Sequence, residues 1–377
     1  MTSIKKDLLI SSEDIAYIDH ETLKSFIKDV FIGLGVLTED AEIVSDVLIT
    51  ADLRGVDSHG IQRLKMYYDR IKKGIYNVKT ELKIVKNELA TAVIDGGCGL
   101  GPIIAYKSMK MAIDKAKKFG LGSVAVRNST HFGIAGYYSL MAIKEGMIGI
   151  ATTNARPAVP QTFGVEPMLG TNPLTAGAPT DEKYPFLIDC ATSIIQRGKV
   201  EVYNRSNKSL PNGVIITKNG KTKNDPDEVL NDLIDNSAAL LPLGGRGEDT
   251  SGYKGYGYAT LVEVLCSALQ DGTYLKDTAG VIEGNQTRLK VGHFFLAINI
   301  EKFIPLNDFK WIAGDIMKKL RNSEKAPGKD RIYTAGEKEY LAERERLISG
   351  IPINKSLQQD INMIQEELGL DKYYFSF

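Results

Sequence analysis

Cysteine is scarce in this chain. Its 377 residues hold three, Cys98, Cys190 and Cys266, far apart and with no CxxC pair. That pattern excludes a disulfide framework and a zinc ribbon, and the odd count leaves a thiol unpaired within a monomer. Reduced, mostly buried thiols in a cytoplasmic protein are expected. Histidine is scarcer than its chemistry is useful: four residues, at 20, 59, 131 and 293, with no HxxxH and no cysteine at ligand spacing. No metal site is expected. An excess of one charge is also lacking, since 47 Lys and Arg balance 47 Asp and Glu. The lysines are spread over helix faces, which argues against nucleic acid or a membrane surface as partner. No apolar run reaches membrane-spanning length, and MTSIKKDLLISSEDIAYIDHE has no signal-peptide core.

Phosphate-loop motifs are missing despite 36 glycines. GGCGLG (96–101) follows a strand pattern but lacks the GxGxxG spacing and an acidic residue about 20 positions on. GYKGYGYA (252–259) has no strand before it, and there is no Walker A sequence. A Rossmann dinucleotide fold and a P-loop NTPase both lose their support.

What is present is an alternation of helices and strands. HETLKSFIKDVFIGLGV and TEDAEIVSDVLITADLRG have helical spacing, the first stopping near Gly33–Gly35, the second capped by Thr38. A third helix is expected from about Ser58 to Lys73. TELKIVKNELATAVIDG alternates like a hairpin, and IIAYKSMKMAIDKAKKFG is an amphipathic helix stopped by Gly120. LGSVAVRNS, MIGIATTNA, GTNPLTAGAPT, YPFLIDCATS and VGHFFLAINI read as strands, GIAGYYSLMAIKEG and YKGYGYATLVEVLCSALQDG as helices. Residues 204–230 lack a clear period and read as an exposed excursion. The tail is two charged helices. The fold class is α/β: a sheet of mixed strands, because several links are short, with a helical N-terminal region and C-terminal helices.

One of the four histidines stands in RGVDSHGIQRLKMYYDR (54–70). With a helix starting near Ser58, His59, Arg63 and Tyr67 fall at i, i+4 and i+8 and share a face. Arg63 offers a fork for a carboxylate, His59 can pass a proton near neutral pH, and Ser58 and Tyr67 add hydroxyls. This set suits a small acid with a reactive oxygen; the bland alternative is a capped helix with a polar face. Gly60, costly inside a helix, marks a close approach of something. His131, in RNSTHFGIAGYYS, sits between a strand and a helix, where open α/β sheets bind ligands; otherwise it caps that helix. Asn154, Arg156, Thr171 and Asn172 cluster in TTNARPAVP and MLGTNPLTAG, as site groups or as turn chemistry.

SHG…R…Y, STHFG, GTNPL, DCATS, LPLGG…YKGYG, GHFFLAI and GEKEY, in that order over residues 20–350, resemble the malate/L-lactate dehydrogenase family. This is the type not built on a Rossmann fold. Its members include sulfolactate, ureidoglycolate and diketogulonate dehydrogenases and a cyclic-imine reductase. TTNARP with VEPMLGTNPL is most similar to the malate/lactate members.

The resemblance implies a 2-hydroxyacid dehydrogenase using NAD or NADP, usually a homodimer. Malate or L-lactate is the first substrate to expect. It implies His59 as acid/base with Ser58 assisting, and His131 as the second candidate for that role. Arg63 would hold the carboxylate, with Tyr67 nearby and Arg156 also touching substrate. For the cofactor it implies Thr171 and Asn172 at the nicotinamide, and Asp189, Cys190 and Ala191 at the adenosine and ribose. Lys254 and Gly255 would meet phosphate, and Gly336 and Glu337 would close over it. Arg and Lys within 193–206 would face a 2′-phosphate or solvent. The implied organisation is a helical region (1–78), a connecting α/β region (79–125 with 285–330), a cofactor-binding α/β domain (126–284) and a helical tail (331–377).

Some positions depart from the family pattern: Tyr253 for His, Ala335 for Pro, Val214 for Trp. None falls on His59, Arg63 or His131. A hydrolase built on Ser58 or Thr130 with His131 lacks a GxSxG elbow and a placed acid. His20 and His293 read as structural.

Overall fold

The computed structural model describes residues 15–205, 207–282 and 285–377. A short strand β1 (Ala16–Ile18) leads into α1 (His20–Gly33), where Asp19 caps the helix by accepting the Thr22 N–H. Then come α2 (Thr38–Leu53) and α3 (Leu64–Lys72). Next are β2 (Lys83–Asn87), β3 (Thr91–Asp95), α4 (Gly101–Phe119), β4 (Leu121–Ser129), α5 (Gly136–Lys144) and β5 (Met147–Thr153). β6 (Leu174–Ala178) and β7 (Phe186–Cys190) follow as a hairpin, then α6 (Arg197–Arg205), β8 (Ile215–Thr217), α7 (Pro226–Asp232), β9 (Ala238–Leu240) and α8 (Gly252–Ser267). The remainder comprises β10 (Val281–Ile282), β11 (Asn285–Gln286), β12 (Val291–Asn299), α9 (Leu306–Arg321), α10 (Glu337–Ser349), β13 (Ile351–Ile353) and α11 (Lys355–Leu368).

Seven strands form one mixed sheet in the order β2-β3-β4-β12-β5-β6-β7. Only β3 and β4 pair in parallel; β12 runs antiparallel to both β4 and β5 and fills the gap between them. The expected boundary at 125/126 falls inside β4. Side chains alternate along β12. Phe295 and Ala297 join Val124, Ile104 and Met109 under α4, while Gly292 backs onto the Cys266 carbonyl of α8 on the opposite face. The registers bring Asp95, Ser129, Thr153, Leu174, Cys190 and the start of β12 to one end of the sheet. Loops leaving that end carry most of the residues singled out by the sequence.

The N-terminal helices pack with the tail. Leu23, Phe26, Phe31 and Tyr67 share a core with Ile361 and Ile364 of α11, and β1 pairs with β13. No helix among the described residues is long and apolar enough to cross a membrane.

Two expectations are corrected. Residues 204–230 are not simply an exposed excursion: β8 pairs with β9, and Val200, Leu210, Ile215, Val229 and Leu240 form a satellite core. Three-residue strands are too short for period to show. The third helix begins at Leu64, not near Ser58, for a reason that lies in the site itself.

Candidate active site

Between α2 and α3 the chain makes two 3-10 turns, Asp57–His59 and Ile61–Arg63, separated by Gly60 at φ −91°, ψ −134°. His59, Arg63 and Tyr67 therefore do not share one continuous helical face. The break is imposed from α2. Asp52 is 1% exposed, and its carboxyl accepts the Ile61 N–H at 2.7 Å. Burial, then the charge of Asp57, holds Asp52 well above the usual carboxylate range. A Cβ on Gly60 would lie 1.9 Å from Asp52 Oδ1, so the glycine marks a close approach, as its cost suggests. Arg346 of α10 donates to the Asp52 carbonyl and to Asp57, tying the turn to the tail. Gly60→Ala is expected to cost about 1–3 kcal/mol by forced repacking, read as a lower urea midpoint. An unchanged midpoint would mean the turn can shift away from Asp52.

The turn and the β4–α5 loop bring two histidines together. The rings of His59 and His131 stack with centroids 5.6 Å apart and 25° between planes. His59 Nδ1 is 2.9 Å from Ser58 Oγ. His131 Nδ1 receives the Gly133 N–H at 3.3 Å and stands 2.8 Å from the Tyr67 hydroxyl, which also donates to the His131 carbonyl at 2.9 Å. An Nδ1 that accepts a backbone N–H leaves the neutral ring's proton on Nε2. Burial lifts Tyr67 well above 10, so it stays a neutral phenol.

Both histidines are held toward the neutral form in this arrangement. Burial first, and then the Arg63 charge, lowers His59 to about 3. His131 is held well below 6.5 by burial and by its neighbours His59, Arg63 and Arg70. Both imidazoles are poised to accept a proton.

A cavity of about 1060 Å³ opens here, lined by Arg63, His131, Arg156 and Thr171 together with Arg70 and Arg197. Arg63 spends Nε on the Ser58 carbonyl, 2.6 Å away, which orients its two terminal amino groups. Arg156 keeps part of its surface in solvent; partial desolvation of its guanidinium, then the charges of Arg197 and Arg70, lower its pKa. His131 lines this cavity, with His59 stacked against it and Ser58 beside His59.

The expected cofactor residues divide. Thr171 is on the cavity wall. Asn172 is fully buried at φ +34°, and its amide is consumed internally: Oδ1 accepts the Ala155 N–H, and Nδ2 donates to the Ala259 carbonyl and Glu263. Asp189 and Cys190 end edge strand β7, and Ala191 follows it. Asp189 is exposed and accepts the Gly136 N–H through Oδ2 at 2.9 Å, which leaves Oδ1 outside that bond. A carboxylate so placed fits the hydroxyls of a ribose. Gly336, at φ +90°, lies against the Pro185 carbonyl and the Leu187 N–H of the same strand. Glu337, however, is 1% exposed and turned inward, accepting from Thr334 and Arg331. Gly255 is pressed on Leu243, whose N–H bonds the Thr192 carbonyl next to Ala191, while Lys254 is exposed against the Tyr253 ring.

His293 is a buried structural residue, its nitrogens 2.8 Å from Thr153 Oγ1 and 2.6 Å from Ser129 Oγ. Thr130 is buried, bonded to Gly101 N–H and the Gly99 carbonyl, and offers no nucleophile. Sequence reasoning missed Asp52 and Glu263, and counted Arg197 only among the Arg and Lys of 193–206 expected to face a 2′-phosphate or solvent. Glu263 is buried and takes hydrogen bonds from Asn154, Asn172 and the Leu275 N–H, fixing the 154–155 and 171–172 loops together. A signal existed for two of them: ITADL and LVEVL each place a lone carboxylate in an apolar helical run.

Comparison with known proteins identifies the family. The family model described as malate/L-lactate dehydrogenase matches residues 18–362. A malate dehydrogenase of Pyrococcus abyssi is 46% identical over 358 residues, 95% of this chain and 96% of that protein. An L-sulfolactate dehydrogenase of Methanocaldococcus jannaschii is 42% identical over 353 residues, 93% and 97% of the two chains. Among solved structures, malate dehydrogenase from Entamoeba histolytica superposes with a TM-score of 0.93 at 44% identity, covering 96% of this chain and all of that one. On these likenesses the chain belongs to the malate/L-lactate dehydrogenase family and is an oxidoreductase.

Proposed function

We propose that this enzyme interconverts malate and oxaloacetate, with NAD(H) or NADP(H) as partner. The observation that carries the reading is the convergence of Arg63 and His131 on one cavity, with His131 Nδ1 fixed by Gly133 and Tyr67. Arg63 pairs with the C1 carboxylate through its terminal amino groups. His131 Nε2 faces the C2 oxygen as the acid/base, and His59, backed by Ser58, buttresses it and adds to its electrostatic setting. The nicotinamide, when bound, supplies or takes up the hydride at C2. Thr171 borders its ring, and Asp189 with Cys190 and Ala191 receives its ribose. Gly255 supports that strand from behind, and Gly336 borders it; Asn172 and Glu337 act by holding their loops.

A second reading within the family is sulfolactate, because guanidinium groups bind sulfonate as readily as carboxylate. Absorbance at the reduced nicotinamide band decides. Purified enzyme, NADH or NADPH and a panel of oxaloacetate, pyruvate, sulfopyruvate and a cyclic imine acid would name substrate and cofactor together. No oxidation of either cofactor with any of them would overturn the proposal.

A homodimer belongs to the same proposal. Tyr258, Leu261 and Val264 on α8 and Trp311, Ile316 and Leu320 on α9 are exposed, apolar surface of the kind subunit contacts bury. Light scattering reads the mass directly. Three free thiols, two of them buried, accord with a reducing cytoplasm.

A further inference from the structure

Arg197 opens α6 on the wall of the cavity that holds Arg63, Arg156 and His131. The start of α6 is pressed against the catalytic turn. A Cβ on Gly198 would stand 3.1 Å from Ser58 Cβ and 3.3 Å from an Arg63 terminal nitrogen. Arg197 is thus beside the turn that carries Arg63.

The cavity is rich in cations. Lys65 is paired with Asp69, and Arg70 donates to the Tyr76 hydroxyl. Arg197 donates through Nε to Glu201 Oε1 at 3.2 Å. That side-on bond uses one of five N–H groups, and the terminal pair that matches a carboxylate or sulfonate is not engaged by it. The charge of Arg197 also acts against the cationic forms of Arg63 and Arg156. A second negative group entering the cavity would relieve that repulsion.

We infer that Arg197 is the specificity-determining residue that takes the distal acidic group of the substrate. Glu201 is its internal partner when no such group is bound. Arg63 and Arg197 then read the two ends of a dianion, and a monoanionic 2-oxo acid leaves Arg197 with Glu201 alone. The inference rests on the function proposed above, which places C1 at Arg63.

Binding tests it without turnover. Succinate and butyrate match in length, differ by one carboxylate and lack the C2 oxygen, so neither reacts. Each is titrated calorimetrically into the enzyme with reduced nicotinamide cofactor present. Wild type is expected to bind succinate about 10–100-fold tighter than butyrate, the range of one charged hydrogen-bonding pair. Arg197→Gln brings the two within about threefold by weakening succinate alone. Glu201→Gln, which removes the competitor, tightens succinate and leaves butyrate unchanged. Retained succinate preference in Arg197→Gln, or equal weakening of both ligands, overturns the inference. If Arg197→Gln does not fold, Glu201→Gln decides, and unchanged succinate affinity counts against the subsite. Should these affinities behave as expected while no 2-oxo acid is reduced, the subsite stands and the proposed reaction falls.

Discussion

Replacing His131 with glutamine lowers turnover about 10²–10⁴-fold, the share a positioned acid/base contributes. Cofactor binding, followed by nicotinamide fluorescence, stays close to wild type, because His131 bonds to Tyr67 and Gly133 rather than to the β7 residues assigned to the ribose. His59→Gln has a smaller effect, about tenfold, since that ring acts through its stack on His131 and its charge environment. The pair of variants is decisive as a ranking. A larger loss at His59 than at His131 would reverse the two roles, and a small loss at both would remove the histidine pair from the chemistry.

The pH dependence is expected to be lopsided. Oxidation of the hydroxy acid needs a neutral imidazole to take the C2 hydroxyl proton. Burial holds His59 at about 3 and His131 well below 6.5, so the free enzyme has that form across pH 6.5–8. kcat/KM for oxidation is therefore flat over this range. Reduction needs the imidazolium, which the same burial disfavours. Its fraction falls tenfold with each unit of rising pH above the pKa. kcat/KM for reduction then declines with rising pH throughout this range, with no plateau. An ordinary histidine near 6.5 would instead break both profiles there, with reduction level and oxidation failing below it. Bound dianion raises the imidazole pKa, so kcat for reduction declines less steeply than kcat/KM.

Much of the sheet was legible because period and punctuation agree. LGSVAVRNS coincides with β4, and Gly120, at φ +88°, ends α4 just before it. The place of His131 at the end of the sheet was legible for the same reason: it follows a clearly readable strand. Gly60 was readable as a close approach, but not what approaches it, because Asp52 reaches it through tertiary packing. Local spacing wrongly ran a helix through it. Arg197 could be counted but not placed, since its position depends on the satellite core that brings α6 back to Ser58. The internal use of Asn172 by Glu263 spans 91 residues and leaves no trace in spacing.

The insertion of β12 between β4 and β5 has a consequence for biosynthesis. β5 is complete at Thr153, but the strand that joins it to β4 begins only at Val291. At about 5–20 residues per second, the ribosome leaves those two edges unpaired for about 7–28 s. Through that interval the nascent chain displays a split sheet with bare backbone donors and acceptors, a template for pairing with other chains. The fold can close only late, by threading one strand into a prepared slot. Shielding of those edges on the emerging chain is then expected to raise the yield of folded enzyme.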